Sequence, residues 1–225
     1  MNQTTNGFAD HYGHWGWVVI LIVVVSWVLY RFVAPKGWRE WAGAGLVQAF
    51  IIALYAEMYG FPLTIYLLVG FFGIDLPLYI QSGHLWASLL GYGMAGAMIE
   101  MLLGGIFVVA GLMMLIGGWR EVWRARREGR VASGGLYALV RHPQYAGIVL
   151  AVFGQIVHWP TIITVVLFPI IVLVYVRLAY VEERKMLEQF GEPYRDYLQR
   201  VPMFFPRWGE WRRLVTALRD SIFPT

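Results

Sequence analysis

The sequence predicts an all-α polytopic membrane protein of about five transmembrane helices, and three observations support this. Of its 225 residues 59% are hydrophobic, only 14% are charged, and the apolar residues gather into long uncharged runs such as 17–29 and 104–118. A water-soluble domain of this size usually carries about a quarter charged residues, so the bilayer is the solvent for most of this chain. Cysteine is absent, which removes disulfides, thiolate metal sites and a cysteine nucleophile from consideration. No metal-ligand cluster is visible among the five histidines.

The first apolar segment, 15–33, is long enough to span. Residues 1–14 lack lysine and arginine, unlike the basic n-region of a signal peptide, so 15–33 reads as a retained helix. The second segment runs from about 43 to 59, extended or kinked through Gly60-Phe61-Pro62, and the third covers about 96–118. Residues 65–90 are apolar but broken by Asp75, Pro77 and Gly83, which suits a re-entrant or interfacial cap, or an extra pair of short spans. Segments 145–157 and 161–176 flank His158-Trp159-Pro160 and read as a helical hairpin. Thirteen residues are marginal for a core of roughly 30 Å, so the fourth span is short or tilted. Segments 178–189 and 193–201 read as short amphipathic helices under the bilayer, divided at Gly191-Glu192-Pro193.

The basic residues fix an expected orientation. Arg31, Lys36 and Arg39 follow the first span; six arginines from Arg120 to Arg141 follow the third; nine lysines and arginines from Arg177 to Arg219 follow the fifth, completing all eighteen. With five spans all eighteen share one face, and the positive-inside rule makes that face cytoplasmic. The N-terminus is then outside and the C-terminus inside, in a plasma or inner membrane. Basic residues beside spans set topology and meet head groups, so the net charge of +4 implies no nucleic-acid partner. The 124–130 stretch reads as such a topology-setting, lipid-contacting segment, with a phosphate grip as its alternative. Glu57 and Glu100 lie within apolar segments, where ionisable side chains are expensive. An acceptor pocket and structural pairing are both open for them.

The chemistry concentrates in the last hundred residues. Pro143 favours a helix start at its own position, which sets Arg141 and His142 at the helix mouth, where free N–H groups favour an anionic group. Glu182-Glu183 lie at the cytoplasmic end of the other hairpin arm. Together they make a bipolar pocket suited to a zwitterion. Adjacent glutamates point about 100° apart on a helix, so one faces the site while the other pairs with a nearby arginine.

Arg141-His142-Pro143-x-Tyr145-x-Gly147, followed by Glu182-Glu183, Phe190-Gly191-x-x-Tyr194-x-x-Tyr197 and Val201-Pro202-x-Phe204-x-Pro206, resembles the isoprenylcysteine carboxyl methyltransferases and the related membrane phospholipid methyltransferases. The resemblance covers about 133–206. It implies an S-adenosylmethionine-dependent methyltransferase, with Arg141, Glu182 and Glu183 as catalytic candidates. His142, Pro143, Tyr145, Tyr137, Gly147, Glu182 and Glu183 are the implied cofactor contacts, and Tyr194 and Tyr197 are further candidates for an adenine wall. The expected partners are the bilayer and a small or lipophilic methyl acceptor. One membrane domain is expected, with N-terminal spans and outer cap (1–118), a catalytic part (119–206) and a surface tail (207–225). The enzymatic alternative is an NADPH-dependent reductase of the sterol-reductase type, with the basic loop beside Gly134-Gly135 serving the phosphates; the non-enzymatic one is a membrane scaffold or transporter.

Overall fold

The computed structural model describes residues 12–33, 37–74 and 84–222. Among these the regular structure is entirely helical: α1 (Trp15–Val33), α2 (Trp38–Tyr55) continued by a π-turn (Ala56–Gly60), α3 (Leu63–Gly70), α4 (Leu85–Leu90) and α5 (Gly93–Glu128). After a 3₁₀ turn at Gly135–Ala138 come α6 (Pro143–His158), α7 (Ile162–Phe190), α8 (Glu192–Arg200) and α9 (Trp211–Ile222). Four of these, α1, α2 with its π-turn, α5 and α7, are long and apolar enough to cross a membrane. The expected fourth span is α6, whose 16 residues rise only about 24 Å.

Two expectations change. The segment 178–189 is not a separate surface helix but the end of α7, which runs unbroken for 29 residues through Pro169. Nothing before Gly191 supplies a stop, and Pro169 removes a single intrahelical bond, which a membrane helix tolerates. The 65–90 region does not contribute a pair of short spans in its described part: α3 and α4 have 8 and 6 residues, about 12 and 9 Å. Asp75, Pro77 and Gly83 lie outside the described residues, as does Lys36.

Two compact units are present, 1–106 with 152–171 and 107–151 with 172–225. In the first, polar side chains close helix ends that would otherwise leave unmet backbone groups at membrane depth. Glu57 Oε2 accepts the Thr64 amide at 2.8 Å, in the first turn of α3. Glu100 Oε1 accepts the Ala87 amide in α4. Thr161 and Thr164 cap α7 reciprocally, each hydroxyl accepting the other's amide, at 3.0 and 3.1 Å. Thr64 Oγ1 accepts the Ile162 amide at 2.9 Å. At the far end of α6 the orphan carbonyls of His158 and Ile156 meet His84 Nδ1 at 3.0 Å and Trp86 Nε1 at 3.1 Å. For Glu57 and Glu100, structural pairing is therefore what the structure shows.

In the second unit α5 and α6 pack backbone to backbone. A Cβ on Gly111 would collide with the Gly147 carbonyl, one on Gly147 would lie 2.5 Å from the Gly111 carbonyl, and one on Gly118 would lie 3.3 Å from Pro143 Cγ. Below the 3₁₀ turn a cluster of Met114, Leu136, Leu139, Val140 and Leu214 anchors α9.

Gly111→Val is expected to destabilise the protein by about 1–3 kcal/mol through overpacking. Gly105→Ala, whose added Cβ meets nothing within 4 Å, is expected to be neutral or slightly stabilising. Thermal unfolding in detergent compares the two, and equal melting temperatures would contradict the close approach.

Candidate functional site

The site is built in the second unit by three pieces of chain. Pro143 opens α6 and is fully buried; its Cγ and the Gly147 α-carbon face α5. That leaves His142 and Tyr145 on another side of the helix mouth, with their rings stacked 5.6 Å apart and nearly parallel. Tyr145 also packs on the buried Tyr175 of α7, at 5.2 Å. Of the sequence candidates, Pro143 and Gly147 thus serve the α5–α6 contact, and His142 and Tyr145 line the site with α7.

The two glutamates of α7 part company. Glu183 is buried: its Oε1 lies 2.9 Å from Arg141 Nε and 3.0 Å from His142 Nε2. Glu182 keeps 42% of its side chain exposed, and its carboxylate stands 3.6 Å from His142 Nδ1, beyond hydrogen-bond length. Both imidazole nitrogens therefore face carboxylates, an arrangement only the protonated ring satisfies with two donors. Burial depresses the His142 pKa, but Glu182 and Glu183 outweigh it, and the value ends above the usual 6.5.

The Val201-Pro202-x-Phe204 motif forms a strap over this cluster. Arg141 Nη1 donates to the Leu198 and Val201 carbonyls, at 2.6 and 3.1 Å. The Arg141 and His142 amides donate to the Pro202 and Met203 carbonyls, at 2.9 and 3.1 Å. The amides of Arg141 and His142 are thus taken by the strap. Phe204 tilts against the His142 ring at 5.8 Å.

Gly191, at φ +61°, separates α7 from α8 with a backbone conformation that side-chain-bearing residues rarely adopt. The break returns α8 toward the site, burying Tyr194 and Tyr197. The Tyr197 hydroxyl donates to the Tyr137 carbonyl at 2.7 Å. Burial and then the charge of Glu182 hold the Tyr137 phenol well above its ordinary pKa of 10; burial and then Glu183 do the same for Tyr194. Both phenols stay neutral.

Glu121 was missed by sequence reasoning. It is 6% exposed and accepts from Arg130 at 2.9 Å and the Gly134 amide at 3.2 Å, tying down the loop that leads into Tyr137. The available signal was one acid ahead of an arginine-rich stretch. Gly134 sits so close that a Cβ there would lie 2.9 Å from Glu121 Oε1.

Residues 94–193 match the family described as phospholipid methyltransferase, which extends the resemblance upstream into α5. Methanethiol S-methyltransferase 1 of Bradyrhizobium diazoefficiens is 37% identical over 81 residues, 36% of this chain and 26% of that protein. Methanethiol S-methyltransferase 2 of the same organism is 38% identical over 82 residues, 35% of this chain and 29% of that protein. A methanethiol S-methyltransferase of a Pseudomonas species is 34% identical over 93 residues, 39% and 34% of the respective chains. The matched part thus spans about a quarter to a third of these curated relatives. No solved structure matches the chain.

Two predictions follow from the cluster. Glu183→Gln leaves the Arg141 guanidinium, 13% exposed, with an uncharged partner and is expected to cost about 2–3 kcal/mol; Glu182→Gln is expected to cost well under 1. Unfolding in detergent separates them, and equal losses would contradict the division. Because the folded-state pKa of His142 is raised, its protonated form stabilises the protein fully below pH 6.5, and that contribution is lost as pH rises through the elevated value. The melting-temperature difference between wild type and His142→Gln should shrink over that rise; a difference constant with pH would refute it.

Proposed function

We propose, on the premise that 94–193 is a phospholipid methyltransferase-type region, that this chain is an integral membrane methyltransferase using S-adenosylmethionine at the cytoplasmic interface. The observation that carries this reading is the asymmetry of the adjacent carboxylates. Glu183 is spent on Arg141 and His142, whereas Glu182 presents a half-exposed charge beside the Tyr145 and His142 rings.

The residues present fit the cofactor's polar end. With His142 neutral, Arg141, Glu182 and Glu183 sum to one negative charge; with it protonated the cluster is neutral. A methionyl group carrying ammonium, carboxylate and sulfonium has net charge +1, which the first state complements. Glu182 would receive the ammonium. Tyr145, Tyr137 and Tyr194 supply aromatic surface for the adenine. Arg141, a catalytic candidate on sequence grounds, acts in this reading as a positioning residue, because its guanidinium is committed to Glu183 and the strap. When bound, the cofactor supplies a methyl group already activated on a sulfonium. What the protein adds is proximity and alignment, for which a locked cluster is suited.

A thiolate or carboxylate acceptor needs no base. For an amine or hydroxyl, a glutamate of the cluster or neutral His142 would take the proton. The relatives named for methanethiol make a small thiol the first acceptor to test, with lipid amines second because of the family match. The expected orientation, with the basic segments and this cluster on the cytoplasmic side, brings the soluble cofactor from the cytosol and a lipophilic acceptor from the bilayer.

Calorimetry on the detergent-purified protein should show S-adenosylhomocysteine binding, NADPH not binding, and affinity falling at least tenfold in Glu182→Gln, about the worth of one charge-assisted contact. Preferential NADPH binding would overturn the reading in favour of the reductase alternative. Incubating membranes with methyl-labelled cofactor and each acceptor class then identifies the product.

A further inference from the structure

Beyond its apolar run, α5 carries Trp119, Arg120, Trp123, Arg124, Arg127 and Glu128 along one side, and these line a groove of about 690 Å³. The groove lies within the second unit and includes none of the residues assigned above to the cofactor. Its chemistry divides in two. The Trp119 and Trp123 rings are near-parallel at 6.5 Å, and the Arg127 guanidinium lies over the Trp123 ring at 4.7 Å. Arg124 stays 66% exposed, touching Glu121 only at 3.4 Å. The lining thus holds three arginines and one glutamate, Glu128, around the two indoles, with Glu121 reaching Arg124 from beside it.

The position of this groove selects its occupant. The 36 residues of α5 rise about 54 Å against a hydrocarbon core of roughly 30 Å. The charge-free stretch ends at Gly118, so Trp119 and Trp123 come at interfacial depth, where indoles settle, with Arg124 and Arg127 each about one turn beyond Trp119 and Trp123 respectively. A soluble anion would use the arginines and leave the indoles idle. A phospholipid uses both: its phosphate takes the guanidinium groups while its glycerol and ester region lies on the rings. The net positive charge favours a head group whose phosphate is not offset by an amine.

We propose that this groove is a discrete binding site for an anionic phospholipid of the phosphatidylglycerol type. The site holds the lipid by Arg124 and Arg127 and seats its ester region on Trp119 and Trp123. It is independent of the methyl-transfer reading.

The test is native mass spectrometry of the full-length protein, released from detergent with equal amounts of dioleoylphosphatidylglycerol and dioleoylphosphatidylcholine. One phosphatidylglycerol should be retained in preference, and retention should fall about tenfold or more in Arg124→Gln/Arg127→Gln, about the worth of two interfacial arginines. Equal retention of the two lipids, undiminished retention in the double variant, or a protein dimer at the expense of lipid would each overturn the proposal. If the double variant does not fold, quenching of tryptophan fluorescence by bromine-labelled phosphatidylglycerol is read instead in Trp123→Phe. A drop relative to wild type, larger than with labelled phosphatidylcholine, is expected; equal quenching by the two lipids would also overturn it.

Discussion

The second unit depends on one oxygen atom. Glu183 Oε1 contacts Arg141 and His142 together, and Arg141 in turn holds the carbonyls of Leu198 and Val201. Three separate stretches of chain, the mouth of α6, the C-terminal part of α7 and the strap, are thereby joined through a buried carboxylate. An unpaired carboxylate or guanidinium in a low-dielectric site is costly, and their attraction offsets that cost only when every partner is present. The cluster therefore forms as a unit. Its neighbours follow from it: the ring stack of His142 on Tyr145 and the contact of Phe204 require His142 to be held in one orientation.

The first unit meets the same constraint differently. There the acids accept backbone amides, as Glu57 does with Thr64 and Glu100 with Ala87, and Glu100 also lies 3.4 Å from His84 Nδ1. Helices as short as α3 and α4 cannot satisfy many of their own amides, and unmet groups are expensive at membrane depth. The same logic explains why Thr161 and Thr164 begin α7 and why His84 and Trp86 end α6. An intramembrane glutamate invites a functional reading; here each of the two has a backbone amide partner.

This contrast marks what the sequence could and could not reveal. The spans were legible because their signal is local: uncharged runs, a proline at the start of α6, a glycine after α7. The continuation of α7 through 178–189 was not, because a helix leaving the bilayer changes composition without changing period. The division of labour between Glu182 and Glu183 was legible in form, since neighbours on a helix face different ways, but which carboxylate took the arginine needed the fold. The strap motif was visible while its role was not, for its bonds join residues about sixty apart. The close α5–α6 contact rests on Gly111, Gly118 and Gly147, residues whose meaning emerges only when the facing helix is known.

If Glu182 receives the cofactor's ammonium as proposed, the pairing of a committed acid with an available one explains why two adjacent carboxylates would be useful where one would not be. A lone glutamate beside Arg141 and His142 would be drawn into their charge and would have to release them before receiving a cation. With Glu183 paired to Arg141 and to Nε2 of the imidazole, Glu182 remains half exposed on the same helix. Its charge is then available without rearrangement, which is the condition under which electrostatic binding costs least reorganisation. His142 adjusts the net charge of the whole group by one proton. The strap over Arg141 keeps that guanidinium from swinging to Glu182 and cancelling it. In the proposed cofactor site, structural pairing in this cluster is thus the means by which one carboxylate would be kept ready for a ligand.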